Sequence, residues 1–522
     1  VVPRSADSWK KQKKDWQNSR LGSLGQLIST AKEIERLLAT EHLAPVRRYA
    51  RNPLGLIERI IGPDEWAKPC WTPWKVFLKS FFAIDPDRWT SEERRIYGEC
   101  TGRQDFPEKR AAEAWAIIGR RGGKSRIFSA IATYFATAID WRPYLAPGER
   151  GYIPIIAPDR RQAQAMMGYI SAPFLNDPLF KAFVVSEPNS EQIELVDGVT
   201  IEVMTCSHRS IRSRTVLAAL CDELGFWPKG ESASPDTEVL AALKPCMATI
   251  PNAPLLGASS PYDRRGVLWD QYSNNFGKAH ASSLVWQAAT TVMNSTISQE
   301  WINEQLDLDY EKNSAEYLAE FRRDITAFVT KEVVDAAVRA GRYELPPMRG
   351  ISYTAFCDPS GGSADSMSLA IGHLEGTRGV LDMIREVIPP FDPESVVVDF
   401  CSDLRRYGLG SVEGDHYGGD WVGSRFQDQG IVYEVAEKTK SQIYGEFLPL
   451  LNAGQVEYLD NRRLINQTLG LERKTARGGR DTIDHSPAPG SHDDVVNAAA
   501  GVLVATAHGA SGAMQLRRFL GG

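Results

Sequence analysis

The sequence predicts an α/β chain with two successive sheets, the first parallel and covered by helices on both faces, the second mixed. Three observations point there. Short apolar runs alternate with stretches long enough for crossover helices from Ala114 to about Leu284, as a parallel sheet requires. A proline-containing break, LPPMRG at 345–350, interrupts the pattern. Beyond it strand-like runs resume, and acidic residues stand where several of them end. At 522 residues the chain is too long for one ordinary core, so more than one domain is expected.

Taken in order, residues 1–45 carry Lys10, Lys11, Lys13 and Lys14 and then a helical apolar pattern through Leu27, Ile28, Ile34, Leu37 and Leu38, which predicts an N-terminal helical segment. The first domain is expected over 46–330, with strands at 115–118, 152–157, 216–221 and 255–258. Residues 301–339 are polar with a helical period, a linker is placed at 331–350, and the second domain at 351–510, with a tail at 511–522. Its strands are expected at 352–357, 368–373, 379–386 and near Ser411 and Ile431.

Composition bounds the function. The chain is 43% hydrophobic and 24% charged, with no apolar run near the ~18 residues that span a bilayer. The N-terminus lacks a signal-peptide core, so no membrane association and a cytoplasmic location are expected. Seven scattered cysteines form no CxxC pair and indicate neither a zinc site nor a disulfide framework. A net charge of -6 does not advertise a nucleic-acid binder, so any DNA contact must come from local basic stretches.

The first chemical motif follows the strand at 115–118: Gly119-Arg120-Arg121-Gly122-Gly123-Lys124-Ser125, then an apolar helix from Ile127. Strand, glycine-rich turn, Lys-Ser and helix is the order a phosphate cradle needs, because glycines let backbone N–H groups curl around phosphate oxygens at a helix N-terminus. Lys124 would reach the β and γ phosphates of ATP and Ser125 would hold magnesium. Ile118 stands where the usual pattern begins with glycine. The second motif is the apolar run 216–221 ending in Asp222-Glu223. Two carboxylates at a buried strand end are costly unless they face a cation. Asp222 would hold magnesium, directly or through water, and Glu223 would polarise the attacking water.

The second half offers three acidic clusters: Asp358 before Pro359-Ser360-Gly361-Gly362, with Asp365 following; Glu413-Gly414-Asp415-His416; and Ser491-His492-Asp493-Asp494 entering a small-residue helix. An acidic residue leaving a central strand into a tight glycine turn opens a ribonuclease-H-like fold. Carboxylates from three segments can hold two divalent cations, Mg2+ or Mn2+, roughly 4 Å apart for phosphodiester cleavage. Singly, each is unremarkable, since Asp358 also starts a good turn and Asp493 makes a good helix cap. Successive helical residues point ~100° apart, so Asp493 and Asp494 are not both expected at the cations. Asp494, on a face with Ala498 and Gly501, is favoured as the ligand with Asp358 and Asp415, and Asp493 as the cap, with Asp493 the alternative metal ligand. Arg473, Lys474, Arg477 and Arg480 supply a local basic patch suited to phosphate contacts without base reading, or a plain exposed hairpin.

These motifs resemble, in order and spacing over roughly residues 60–510, the large terminase subunits of tailed double-stranded-DNA bacteriophages. That family carries a phosphate loop of the form GRxxGKS, matched at Gly119 to Ser125, a strand ending in Asp-Glu, and a Ser/Thr-rich coupling motif, matched at Gly257-Ala258-Ser259-Ser260-Pro261. The stretch from Arg473 to His485 with His492-Asp493-Asp494 resembles the C-terminal signature of its nuclease domains. The resemblance implies an additional-strand P-loop ATPase domain followed by a ribonuclease-H-like nuclease domain. It further implies that Arg120 contacts the γ phosphate and that Trp71-Thr72-Pro73-Trp74-Lys75 forms the adenine segment, with Trp74 at the nucleotide and Lys75 where the family usually has Gln. Implied partners are double-stranded DNA, portal protein and procapsid, the small terminase subunit, and further copies in a ring; the implied location is the host cytoplasm. Arg209, Arg212 and Arg214, or Arg160 and Arg161, could act on a neighbouring subunit or be solvated. A repair translocase or helicase-nuclease and a catalytically inactive assembly protein are the alternatives.

Overall fold

The computed structural model describes residues 43–206, 211–227, 235–279, 282–363, 365–415, 421–475, 481–486 and 491–520. The N-terminal helices expected before residue 43, Arg209, His416, Arg477 and Arg480 lie outside the described residues.

The first sheet has eight strands: β1 (Glu113–Ile118), β2 (Gly151–Ala157), β3 (Gln192–Glu194), β4 (Val199–Thr205), β5 (Thr215–Val216), β6 (Ala219–Asp222), β7 (Leu255–Ser259) and β8 (Ser283–Ala288). Their order is β3-β4-β2-β6-β7-β1-β8, with β5 beside β2. All pairings are parallel except β3 with β4. One strand, β7, therefore separates the strand ending in Asp222 from the strand leading to the glycine turn, and this is the additional-strand P-loop arrangement. The strand expected at 216–221 is two short pieces. Leu217 interrupts it by packing its side chain where a Cβ on Gly151 would stand, 2.5 Å from Leu217 Cδ1.

The helix Lys124–Thr137 explains the depth of this unit. From Ile127 to Thr137 every residue is buried, and a helix apolar all round is an interior helix. It packs under the helices Pro53–Ile61 and Arg160–Asn176, while Thr72–Phe82 contributes Trp74, Phe77 and Phe81 to the same core.

After β8 come the helices Thr290–Met293, Gln299–Leu308 and Tyr310–Asn313 and a π-helical turn, Ser314–Leu318. The helical reading of 301–339 then fails at β9 (Ile325–Ala327), which pairs antiparallel with a strand far along the chain. Residues 331–350 are not simply a linker. Lys331–Ala337 is a helix, and Phe328, Val329, Val334 and Ala337 are buried against Tyr444, Phe447, Leu471 and Ile483. The proline break at 345–350 marks an irregular stretch inside the second unit, because strand pairing upstream of it had already joined that unit.

The second sheet comprises β10 (Tyr353–Asp358), β11 (Met367–Glu375), β12 (Arg378–Val387), β13 (Ser411–Gly414), β14 (Val432–Val435) and β15 (Val456–Glu457), in the order β14-β13-β10-β11-β12-β15. The antiparallel run β10-β11-β12 is extended by β13 parallel to β10 and β14 parallel to β13, which is the ribonuclease-H-like topology. β9 joins β16 (Leu471–Thr475) and β17 (Asp481–His485) in a third, three-stranded sheet. The final helix, Asp494–Leu520, lies across β10, β11 and β12. Gly501 permits that approach, since a Cβ there would stand 2.3 Å from Phe356 Cγ.

Candidate active sites

The glycine turn is held from several sides. Arg121 and Gly123 adopt φ of 65° and 91°, a left-handed backbone that suits glycine and strains arginine. Ile118 does not obstruct it: its side chain is buried, and its carbonyl accepts from Lys124 Nζ at 2.9 Å. Lys124 Nζ also donates to Ser260 Oγ at 3.1 Å and lies 3.3 Å from Glu223 Oε1. Glu223, at φ 48°, accepts from Ser259 Oγ and the Ser260 N–H, both at 3.2 Å. The Ser259-Ser260 pair thus touches both the lysine and the glutamate.

Asp222 is buried, and its Oδ2 lies 3.5 Å from Ser125 Oγ. Its Oδ1 has no hydrogen-bond partner among the described residues. Burial, and next the neighbouring Glu223 charge, push its carboxyl above the usual range. An orphaned, charge-starved carboxylate beside a serine hydroxyl fits a hydrated magnesium ion, and Ser125 and Asp222 are the residues that would hold it.

A cleft of about 650 Å3 opens beside the turn, lined by Trp71, Trp74, Arg120, Lys124, Tyr169 and Asn294 among others. Trp74 has no exposed surface, and its indole N–H donates to the Gly122 carbonyl at 2.7 Å; its place is beneath the loop as a buttress. Lys75 points its ammonium over the Trp66 ring at 5.2 Å. The Arg120 side chain is largely exposed, 3.8 Å from Glu316.

Three loop supports were not visible in the sequence. Thr290 Oγ1 donates to the Arg120 carbonyl at 2.8 Å, Asn294 Nδ2 to the Arg121 carbonyl at 2.9 Å, and the Arg120 N–H to the Glu316 carbonyl at 2.5 Å. They lie 170 residues or more along the chain, and the only hint was that they follow β8, the neighbour of β1. Of the arginines proposed to act on a neighbour, Arg160 pairs with Glu191 and Arg214 with Glu202.

In the second unit, Asp358 closes β10, Asp415 follows β13 and Asp494 opens the last helix, and the strand order brings Asp415 and Asp494 near enough for their charges to act on Asp358. Asp358 is raised well above the usual carboxyl range by burial, then by the charges of Asp415 and Asp494. Asp415 is also raised by burial, partly offset by Asn497, whose Nδ2 donates to its Oδ2 at 2.6 Å. Asp494 accepts from the Ser366 N–H at 3.3 Å and is pushed up to about 6 by burial and next by Asp493. Mutually repelling, partly desolvated carboxylates of this kind fit divalent cations.

Asp493 has a different setting, and its expected role as helix cap does not hold. The Val495 and Val496 N–H groups are capped by Gln467 Oε1, at 2.9 and 3.0 Å. The Asp493 carboxylate instead accepts from Lys440 Nζ at 3.0 Å and Tyr444 OH at 2.9 Å, and faces His485 Nδ1 at 3.0 Å. Burial would raise it, yet the His485 bond and the Lys440 charge hold it below the usual range. Two side-chain groups have ligand atoms close enough to share a cation, Asp365–His492–Asp494 and Asp484–His485–Asp493. Lys440, Tyr444, Gln467 and Asn497 were missed; only Asn497, one turn beyond Asp494, had a positional signal. Of the basic stretch, Arg473 and Lys474 lie on β16, antiparallel to β17, and Arg473 pairs with Asp481.

The chain thus joins an additional-strand P-loop sheet to a ribonuclease-H-like sheet with acidic residues at its strand ends. No family model matches the chain, and no curated protein matches its sequence. Among solved structures it is similar to the large terminase of bacteriophage HK97, at 15% identity over 76% of this chain and 91% of that one, with a TM-score of 0.34. The large terminase of a thermophilic bacteriophage is 10% identical over 83% and 97% of the two chains, TM-score 0.33. The large terminase nuclease of thermophilic phage G20c with bound magnesium is 17% identical over 33% and 94%, TM-score 0.29.

Proposed function

We propose that this chain is the large subunit of a tailed-phage terminase, which hydrolyses ATP to drive double-stranded DNA into a procapsid and cuts concatemeric DNA with a divalent-metal nuclease. The observation that carries the reading is the pairing, in one chain, of Lys124 facing Glu223 with the convergence of Asp358, Asp415 and Asp494. In the first unit Lys124 and the loop N–H groups bind the triphosphate, Ser125 and Asp222 hold magnesium, and Arg120 reaches the γ phosphate. Glu223, oriented by Ser259 and Ser260, takes the proton of the attacking water. In the second unit Asp358, Asp415 and Asp494 would hold two Mg2+ or Mn2+ ions, whose chemistry when bound would be to activate a water and stabilise the leaving oxygen. Asp493 orders Lys440 and His485 at the edge of that centre.

We place the chain boundary between the two units after Ala319, buried in the first core, and before Ile325, which pairs with β16. Partners on this reading are DNA, the portal protein and procapsid, the small terminase subunit and further copies of the chain in a ring, in the host cytoplasm. A repair helicase would need a second parallel nucleotide-binding sheet; β10–β14 form an antiparallel-centred sheet with acidic ends instead, which favours the terminase. An inactive assembly protein would have no reason to keep Lys124, Glu223 and Asp358 in place.

The test is packaging in vitro: purified chain, small subunit, portal-bearing procapsids, ATP and linear DNA, with nuclease-protected DNA as the readout. ATP-dependent protection supports the reading. Magnesium-dependent nicking and ATP hydrolysis without protected DNA, given active procapsids, would overturn the packaging role.

A further inference from the structure

Asn497 lies three residues beyond Asp494, on the same face of the last helix, and has no exposed surface. Its Nδ2 donates to Asp415 Oδ2 at 2.6 Å, and the amide lies near enough to Asp358 to favour that carboxyl's ionised form. The Asp415 bond turns the amide nitrogen toward the acids. Its Oδ1 is then left buried without a hydrogen-bond partner among the described residues. Leaving such an oxygen unbonded is costly, an arrangement that makes sense where a ligand brings a donor.

We propose, building on the nuclease reading above, that Asn497 is the positioning residue of the divalent-cation centre: one amide nitrogen holds Asp358 and Asp415 together before the cation binds, and Oδ1 accepts from a water of the hydrated ion. The neutral amide does this without adding a fourth negative charge to Asp358, Asp415 and Asp494. An aspartate at this position would lack the N–H and add the charge; an alanine would lack both contacts. Residues that orient metal ligands from behind are worth roughly 10- to 100-fold in affinity.

The experiment uses the full chain in an Asp222→Asn background, so that manganese reports on the acidic centre. Free Mn2+ is followed by electron paramagnetic resonance, and thermal midpoints are compared in EDTA and in Mn2+. Asn497→Ala is expected to weaken manganese binding by about tenfold and to shrink the metal-induced rise in midpoint. Asn497→Asp is expected to lower the midpoint in EDTA and to recover it in Mn2+. Should Asn497→Ala fail to fold, Asn497→Ser is read by the same criterion. Binding within twofold of the parent in the folded variant, or an unchanged EDTA midpoint for Asn497→Asp, overturns the proposal. Asp358→Asn separates the two readings: if it abolishes manganese binding while Asn497→Ala does not alter it, only the role of Asn497 falls. If neither substitution changes binding, the metal centre falls with it.

Discussion

The two acidic sites are built alike, from carboxylates at the ends of buried strands, but they are balanced differently. Glu223 faces Lys124 at 3.3 Å and is held by two donors from the Ser259-Ser260 segment. The chain supplies its own cation there, and the lysine rests on protein oxygens ready to be taken over by phosphate. Among the described residues Asp358, Asp415 and Asp494 have no ion-pair partner at such a distance. Lys440, the cation beside them, is bound to Asp493, and burial raises the other three carboxyls despite partial relief from Asn497, Lys440 and His492. The first site is preassembled for an anion and the second is held in strain for cations. If that contrast is right, damage to one should leave the other intact, and the two should respond oppositely to loss of charge.

The largest expected effect concerns where the second site's support begins. A fragment starting near residue 320 should fold alone and nick DNA in magnesium or manganese. One starting near residue 347 should not fold, because it discards β9 and the buried Phe328, Val329 and Val334. At roughly 1.5–3 kcal/mol each, those three side chains rival the ~5–15 kcal/mol stability of a whole domain. Circular dichroism and thermal melts decide it; a cooperative melt from the shorter fragment would move the boundary back to the proline break.

Next come the single-site losses. Lys124→Ala should lower ATP hydrolysis by at least ~100-fold, the scale of a lost electrostatic clamp, while DNA nicking stays measurable. Asp358→Asn and Asp494→Asn should do the reverse. Phosphate release and plasmid nicking measured on the same preparations test both arms, and parallel loss of both activities in a folded variant would break the separation of the sites.

Asp493→Asn sharpens the contrast within the second site. An amide cannot accept from Lys440, Tyr444 and His485 together, and removing one partner of a buried ion pair costs about 3 kcal/mol or more. The melting temperature should drop markedly, in contrast to the mild effect a simple helix cap would give. Tyr262→Phe probes the link between the units. Tyr262, just past the Ser259-Ser260 pair, donates to the fully buried Glu472 of β16 at 2.7 Å, with Arg265 on its other oxygen at 3.0 Å. Loss of a hydrogen bond to a charged group costs about 2 kcal/mol, and calorimetry should resolve two transitions where the parent shows one.

How far the sequence was legible follows from how local each feature is. The glycine turn, the Asp222-Glu223 strand end and the order of the acidic clusters are contiguous strings whose chemistry depends on near neighbours in the chain, and the strand order then brings their side chains together. Thr290, Asn294 and Glu316 are ordinary polar residues made special only because β8 lies beside β1. The helix cap was misplaced for a related reason: Asp493 has the right residue type, but Gln467 arrives from another helix and frees the aspartate for Lys440. Likewise β9 is three residues long, too short for any periodicity, and owes its existence to β16 far along the chain.

The smallest effect tests the charge imbalance directly, in metal-free protein. Asp494 holds its proton to about pH 6 in the folded state, whereas an unfolded aspartate releases it near about 4. Between those values the folded chain binds more protons than the unfolded one, so stability falls as pH rises through this window and then levels off. Each such unit is worth at most about 1.36 kcal/mol, and relaxation around a partly hydrated site should bring the total to about 1 kcal/mol. Asp494→Asn removes the titrating group. In EDTA its urea midpoint should therefore exceed the parent's at pH 7, match it near pH 4, and lack the parent's decline between them. Lys124→Ala in the first site should show no corresponding gain, since it unpairs Glu223 instead of relieving a repulsion. A parent stability that rises from pH 4 to 6 at this site, measured as the difference from Asp494→Asn, would mean that the aspartate is already compensated and that the second site is as preassembled as the first.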